Sequence, residues 1–208
     1  FNSTESLEIG VLKSAKLEVV EPRSEKPIIF YGTSITHGAS ASRPGMNHVA
    51  ILGRRLNRPV INLGFAGNGK MEVELGALLA EIDAAVYVID CLPNMNGKLV
   101  AERAEPLVRK IREVRPDTPI LLVEDRSFTN SWIFAAHRER HQENRASLIR
   151  AFDTLVSSGV TGLFYLEGND LLGDDTIAAT DGSHPSDLGF LRQADAFEPI
   201  LKKALKLN

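Results

Sequence analysis

Residues 27–38 of the chain read Pro-Ile-Ile-Phe-Tyr-Gly-Thr-Ser-Ile-Thr-His-Gly. A short apolar run changes here abruptly to small and polar residues, which is typical of a buried strand that ends in a loop. Four later runs share this character, and they occupy residues 59–63, 84–90, 119–124 and 162–166. Because the runs are apolar almost without interruption, they favour strands of a parallel sheet that is covered on both faces.

Helical patterns fill the intervals between these runs. Amphipathic spacing predicts helices over residues 46–57, 70–82, 99–115 and 137–158, and a last helix after Ser186. Gly159 is placed to cap the fourth of these helices. The alternation indicates βαβ units, so the sequence predicts an α/β domain with a five-stranded parallel sheet. The irregular segments 125–136 and 167–185 follow strands and are therefore expected at the ligand crevice.

Length and composition exclude several classes of protein. A chain of 208 residues suits one domain, and its 43% hydrophobic and 25% charged residues are ordinary for a soluble globular protein. The net charge of −3 argues against nucleic acid or an anionic membrane as a partner, and no apolar stretch approaches the ~20 residues that cross a bilayer. The single cysteine, Cys91, excludes an internal disulfide and is predicted to be a buried, inert thiol.

Ser34 is a candidate nucleophile. It comes directly after the first run, at the edge where the crevice of an open α/β sheet lies. A hydroxyl-rich turn is the plain alternative, and the spacing does not match the G-x-S-x-G nucleophile elbow.

The segment Asp181-Gly-Ser-His-Pro, near the other end of the chain, supplies a possible base. A serine hydroxyl becomes a good nucleophile when an imidazole takes its proton, and a carboxylate on the other ring nitrogen fixes the tautomer. Alone, this segment also fits an ordinary loop before a helix. Together with Ser34 it favours acyl-transfer chemistry, with His184 as base and Asp181 as its partner.

Acyl transfer also needs hydrogen-bond donors for the developing oxyanion. The second run ends in the glycine-rich residues 62–69, and the third ends in residues 90–95, which include Asn94. Ordinary turn glycines and an asparagine in a left-handed conformation are the alternatives.

These motifs resemble the four blocks of the SGNH, or GDSL-type, hydrolase/acylhydrolase family, in the same order along the chain. The blocks are G-T-S-I with Ser34, N-L-G-F-A-G with Gly67, D-C-L-P-N with Asn94, and D-G-S-H-P with Asp181 and His184. The resemblance implies a flavodoxin-like, three-layer αβα sandwich. It also implies a Ser34–His184–Asp181 triad that forms an acyl-enzyme, with the Ser34 amide, the Gly67 amide and the Asn94 side chain as the oxyanion hole.

Two blocks depart from the family pattern. Thr33 stands where G-D-S has aspartate, a change that leaves the nucleophile in place. The third block lacks G-x-N-D, since Met95 follows Asn94, and this weakens the role of Asn94.

The G-T-S-I block is similar to that of a subgroup with an upstream β-sandwich domain. By that resemblance, residues 1–24 are the tail of such a domain, and residues 25–208 are the catalytic domain. Members of this subgroup are commonly exported bacterial proteins that remove acyl groups from carbohydrates. The resemblance thus implies short acyl esters of carbohydrates as substrates and a periplasmic or secreted location rather than a cytoplasmic one.

His37, Phe128 and Trp132 are candidate substrate contacts. His37 closely follows the nucleophile, and the two aromatic residues lie in the loop after the fourth run, where a ring can stack on a sugar or shield an acyl group. Packing within that loop is the alternative. His137 and His141 have i, i+4 spacing, but no third ligand is near them in sequence, so we predict no metal and no cofactor.

Two other functions stay open from the sequence. The turn from Thr33 to Gly38 could hold a phosphate or a flavin in a flavodoxin-like binding protein, although the D-x-x-H motif then has no purpose. The chain could also be a non-catalytic sugar-binding module on a hydrolase fold.

Overall fold

Five parallel strands form the centre of the structure, a computed structural model that describes residues 5–207. The strands are β1 (Ile28–Gly32), β2 (Val60–Gly64), β3 (Val86–Asp90), β4 (Ile120–Val123) and β5 (Leu163–Leu166). They lie in the order β2-β1-β3-β4-β5. Each strand coincides with one of the predicted apolar runs, and the predicted parallel sheet is confirmed.

The longer helices occupy the predicted intervals, with shifted ends, whereas the one-turn helix directly after β1 was not predicted. They are α1 (Ser34–His37), α2 (His48–Arg55), α3 (Val73–Glu81), α4 (Gly97–Arg112), α5 (Ala135–Ser157) and α6 (Asp187–Leu205), with 3₁₀ turns at Pro44–Met46 and Leu92–Asn94. Helix α2 begins at His48 rather than at Met46 because the Asn47 side chain caps it, accepting from the Ala50 amide at 2.8 Å. Gly159 has a φ of +86° just beyond α5, as expected of a cap.

Two helices continue through a proline. Pro106 lies inside α4 and Pro199 inside α6, and both are exposed. A proline in a helix removes one hydrogen bond and leaves a carbonyl without its partner. On the solvent side of a helix, water can satisfy that carbonyl, so the apolar faces of the two helices stay continuous.

Helices cover both faces of the sheet. On one face, helices α3, α4 and α5 pack against the sheet through an apolar cluster in which Val100, Leu107 and Leu148 are fully buried. On the opposite face, helices α2 and α6 pack against the sheet through a second apolar cluster, which includes Leu52 and Phe197. Burying each such side chain contributes about 1.5–3 kcal/mol. The three-layer αβα sandwich is therefore confirmed.

The strand order reverses direction at β1. Strand β2 pairs with one side of β1 and β3 with the other, so that Gly32 aligns with both Gly64 and Asp90 at the carboxyl ends. In open α/β sheets the ligand crevice lies outside the carboxyl ends at such a switch point. The loops after β1, β2 and β3 therefore meet at one place.

Residues 5–27 contain no helix or strand. Residues 17–20 read Leu-Glu-Val-Val, a strand-like pattern, but they form no strand: Val19 is 96% exposed and pairs with none. β-branched residues favour a strand only where a neighbour supplies backbone partners. Residues 1–4 and 208 lie outside the described residues, and the upstream β-sandwich domain stays a prediction. Within residues 5–207, the structure has no helix whose length and apolar content would let it cross a membrane.

Candidate active site

The loop after β1 presents Ser34 as the first residue of α1. Thr33 caps this one-turn helix: its hydroxyl accepts from the Ile35 amide at 3.2 Å, and its own amide donates to the Thr36 hydroxyl at 3.3 Å. The first N–H groups of a helix have no partner within the helix. The Ser34 amide is therefore directed out of the helix start, on the same residue that carries the hydroxyl.

A tight turn before α6 positions His184. Asp181 Oδ1 accepts from the amides of Ser183 at 2.9 Å and His184 at 2.7 Å. The Thr180 amide donates to the His184 carbonyl at 2.9 Å, which closes the turn. Gly182 has a φ of +91°, a conformation that glycine adopts without strain.

These two loops bring a hydroxyl, an imidazole and a carboxylate into one chain of hydrogen bonds. Ser34 Oγ lies 2.9 Å from His184 Nε2, although the residues are 150 positions apart. His184 Nδ1 lies 2.7 Å from Asp181 Oδ2. Both contacts are satisfied by the tautomer in which Nδ1 carries the proton and Nε2 accepts from the serine, which is the form needed of a general base.

The Asp181 carboxylate is ionised at neutral pH. Partial burial raises its pKa, but hydrogen bonds from the backbone and ring of His184 and from the Ser183 amide outweigh this effect and lower the pKa to about 2. A carboxylate that stays charged can stabilise an imidazolium on the far side of the ring.

The loops after β2 and β3 adjoin each other near the end of β1. Gly67 is exposed with a φ of +72°, and nothing lies within 4 Å of the position a Cβ would take. The Asn94 Nδ2 donates a weak bond to the Phe65 carbonyl at 3.4 Å, which ties the two loops together. The Phe65 amide in turn donates to the Gly32 carbonyl at 3.0 Å, two residues before Ser34.

The three predicted substrate contacts lie in different surroundings. His37 is exposed at the end of α1, and its Nδ1 is 3.3 Å from the Gly64 carbonyl. The Phe128 ring packs edge-to-face on His141, with centroids 4.5 Å apart. Trp132, by contrast, is 71% exposed. Phe128 and Trp132 both line a cleft of about 240 Å³ between their loop and residues 169–176.

Sequence reasoning missed the residues that join this cleft to the turn that carries His184. The Thr129 amide donates to the Gly182 carbonyl at 2.9 Å, and the Asn130 side chain lies against Gly182. Asn130 also contacts the His137 ring at 3.1 Å. The only signal in the sequence was that both segments follow strands, which places them at the same edge but does not identify the contacts.

Two further predictions concern Cys91 and metals. Cys91 is fully buried, as predicted, and burial raises the pKa of its thiol well above the usual value. No group of three or more metal-ligating side chains occurs within residues 5–207. His141 itself is almost fully buried, and burial lowers its pKa to about 4.

Comparison with known proteins identifies a family. Residues 25–202 match the model of the GDSL-like Lipase/Acylhydrolase family. A crystal structure described as a GDSL-like lipase from Bacteroides ovatus is 36% identical to this chain, with a TM-score of 0.85 over 88% of it. The match covers 55% of the Bacteroides chain, so this chain spans about half the length of that relative. No curated protein sequence matches.

More distant structures share the fold. A carbohydrate acetylesterase family member from Sinorhizobium meliloti is 18% identical, with a TM-score of 0.63 over 88% of this chain and 100% of that one. A family two carbohydrate esterase from Clostridium thermocellum, in complex with cellohexaose, is 16% identical, with a TM-score of 0.68 over 91% and 67%. Given the family match over most of its length and the identity to the Bacteroides structure, the chain belongs to the GDSL-like lipase/acylhydrolase family, a family of carboxylic ester hydrolases.

Proposed function

We propose that this chain is a serine esterase in which Ser34 is the nucleophile, His184 the general base and Asp181 its orienting carboxylate. The observation that carries the proposal is the continuous hydrogen-bonded chain from Ser34 Oγ through both ring nitrogens of His184 to Asp181. A binding protein has no need of such an arrangement, since nothing in recognition requires a hydroxyl to face an imidazole that is backed by a carboxylate.

The reaction runs in two halves. His184 Nε2 takes the hydroxyl proton while Ser34 Oγ attacks the ester carbonyl carbon, and the imidazolium then gives that proton to the departing alcohol oxygen. This leaves the acyl group esterified to Ser34. A water molecule next loses a proton to His184 as its oxygen attacks the acyl carbon, and the carboxylic acid departs as Ser34 recovers its proton.

Three donors are proposed for the oxyanion: the amides of Ser34 and Gly67 and the side chain of Asn94. The position of Ser34 at the helix start and the exposure of Gly67 support the amide roles. The Asn94 amide group has one long bond, to the Phe65 carbonyl at 3.4 Å, so little is lost when it turns towards a developing negative charge.

Short acyl esters of carbohydrates are the proposed substrates. The cleft between residues 127–132 and 169–176 combines the exposed Trp132 ring with the polar groups of Asn169, Asp174 and Thr176. A flat ring beside hydrogen-bonding groups suits a sugar, which has apolar faces and a polar rim. The carbohydrate esterases named above share only their fold with this chain. Esters of carbohydrates are therefore the first substrates to test on it.

A serine-directed fluorophosphonate probe tests the catalytic assignment. The wild-type protein should be labelled at Ser34 and should hydrolyse 4-nitrophenyl acetate, whereas Ser34→Ala should do neither. Ser183→Ala is the matched control, because Ser183 contributes its backbone amide to the turn and the substitution keeps that amide. Label on another residue, or turnover by Ser34→Ala equal to wild type, would refute the triad.

The substrate proposal needs its own comparison. Acetylated oligosaccharides, free acetylated sugars and esters of longer acids should be offered in parallel, and kcat/KM should be highest for the acetylated oligosaccharides. A preference for long-chain esters of simple alcohols would overturn this part of the proposal and leave the triad standing.

A further inference from the structure

A buried carboxylate contacts the one-turn helix that begins at Ser34. Asp90, the last residue of β3, is fully buried, and its Oδ2 accepts from the Thr36 hydroxyl at 3.2 Å. The same hydroxyl oxygen accepts from the Thr33 amide at 3.3 Å. Thr36 thus links Asp90 to the residue that caps the helix carrying Ser34.

The carboxylate fixes the direction of this link. An ionised carboxylate only accepts hydrogen bonds, so it makes the Thr36 hydroxyl point its proton at Asp90 and leaves a lone pair facing the Thr33 amide. The fit around the hydroxyl is close. A Cβ atom on Gly32 would lie 2.0 Å from the Thr36 Oγ1, so the strand must have glycine there.

Arg126 supplies the charge that balances Asp90. It follows β4, is fully buried, and its Nη2 donates to both carboxylate oxygens of Asp90 at 2.9 and 3.1 Å. Burial raises the pKa of Asp90, and the guanidinium opposes this effect. His48 lies 3.8 Å from Asp90, but burial together with Arg126 lowers its pKa to about 3, so at neutral pH it adds no positive charge.

Stability alone gives little reason for a charged pair in this position. Taking two charges out of water is costly, and well-packed apolar residues of similar volume are often at least as stable. Arg126 does not use all of its donors, since its Nε and Nη1 have no hydrogen-bond partner among the described residues, although Nη1 lies 3.9 Å from a carboxylate oxygen of the buried Asp125. Buried polar groups with such geometry are used to hold neighbouring groups in one arrangement.

We propose that Asp90 and Arg126 are positioning residues for the esterase reaction proposed above, acting through Thr36 to hold the turn that aims Ser34 at His184. Neither residue reaches the reacting atoms in this arrangement. They set the orientation of the Thr33–Thr36 turn, and with it both the Ser34 hydroxyl and the Ser34 amide. The inference rests on the proposed function of Ser34.

Thr36→Val and Thr36→Ser form the decisive pair of variants. Valine keeps the shape of threonine and leaves the Asp90–Arg126 pair intact but removes the hydroxyl, while serine restores it. A misplacement of the nucleophile can cost about 100-fold in rate, so Thr36→Val should lower kcat and the rate of fluorophosphonate labelling by about that factor, with KM little changed. Thr36→Ser should recover most of the loss. Thr154→Val, at an exposed threonine in α5, is the matched control and should have wild-type kcat.

A double-mutant cycle tests whether Asp90 acts through Thr36. Asp90→Asn should lower kcat in the wild-type background and add little in the Thr36→Val background, because both changes break one link. Glu124→Gln is the control for a buried carboxylate: Glu124 is 3% exposed and accepts from Tyr165 and the Gly168 amide, away from the nucleophile. It should alter the melting temperature but not kcat.

The outcomes separate the two proposals. If the wild-type protein is not labelled at Ser34, the proposed function fails and this inference falls with it. If the wild type is labelled and Thr36→Val, folded and equally stable, reacts as fast as wild type, the positioning role is overturned and the esterase proposal stands. A loss in Thr36→Val that Thr36→Ser restores supports both.

Discussion

The carbonyl oxygen of Gly32 lies only 2.0 Å from the point where a Cβ atom on Gly69 would be. The loop after β2 therefore crosses the end of β1 with backbone against backbone, one residue before the capping Thr33. The Phe65 amide, which donates to the same carbonyl at 3.0 Å, holds the beginning of this loop. The close approach fixes the course of the loop that carries Gly67.

Gly69→Ala should be strongly destabilising, because the new methyl group meets backbone that has no room to move. Overpacking of this kind costs typically about 1–3 kcal/mol and sometimes more, and we expect the upper end here. Gly67→Ala is the matched control: its Cβ meets nothing within 4 Å, but its φ of +72° adds a left-handed strain of about 1–2 kcal/mol. Denaturant unfolding of both variants measures the difference, and equal losses would contradict the packing argument.

Asp181→Asn should lower kcat by about 10²–10⁴-fold, the range over which a positioned base contributes. The amide removes the charge that stabilises the imidazolium and can turn its NH₂ group towards the ring. Asp187→Asn is the control, since Asp187 accepts from Ser42 nearby but does not contact His184. Steady-state kinetics on 4-nitrophenyl acetate decide the matter: an Asp181→Asn enzyme with wild-type kcat would exclude Asp181 from the triad.

Asn94→Ala should reduce kcat by about 10²–10³-fold with little change in KM, the usual result of losing one oxyanion donor. The neighbouring Asn96→Ala provides the comparison. Asn96 caps α4 by accepting from the Leu99 amide at 2.9 Å, so its loss should cost about 1 kcal/mol of stability and leave kcat unchanged. If the two alanine variants behave alike, Asn94 is not an oxyanion donor in this chain.

The sequence predicted best what depends on local signals. Ser34 directly follows an apolar run, and His184 shortly precedes a helix, so both could be placed at the crevice edge before the strand order was known. The exposed residues 17–20 show the limit of such reasoning, because a β-branched pattern does not reveal whether a neighbouring strand exists. Arg126 shows another limit: it belongs to an irregular segment, and it meets Asp90 only because β3 and β4 are neighbours in the sheet.

Trp132→Ala should weaken binding of acetylated oligosaccharides and leave small esters unaffected. Each Å² of apolar contact that is lost costs about 25 cal/mol, so KM for the oligosaccharide should rise several-fold, while kcat/KM for 4-nitrophenyl acetate stays constant. Ile133→Ala changes an apolar neighbour that is 57% exposed and does not line the cleft. Equal effects of the two substitutions on the oligosaccharide would remove Trp132 from the substrate site.

The loop that carries Asp181 and His184 should lose stability in acid through Asp175. The Arg192 guanidinium binds both oxygens of this carboxylate, at 2.7 and 2.5 Å, and that bond lowers the pKa of Asp175 to about 2 from its ordinary 3.8. A group with a lowered folded pKa contributes stability that is fully present above the ordinary pKa and is lost as the pH falls through the folded value. The melting temperature of Asp175→Asn should therefore lie below that of wild type at pH 6, with the difference shrinking below about pH 4, largely lost by about pH 2 and disappearing only at still lower pH. Because the pair is exposed, the difference should be small and should fade in 1 M salt, where the Debye length is about 3 Å. Thermal unfolding across pH and salt provides the measurement, and a difference that persists unchanged at pH 2 would show that the carboxylate acts through something other than its charge.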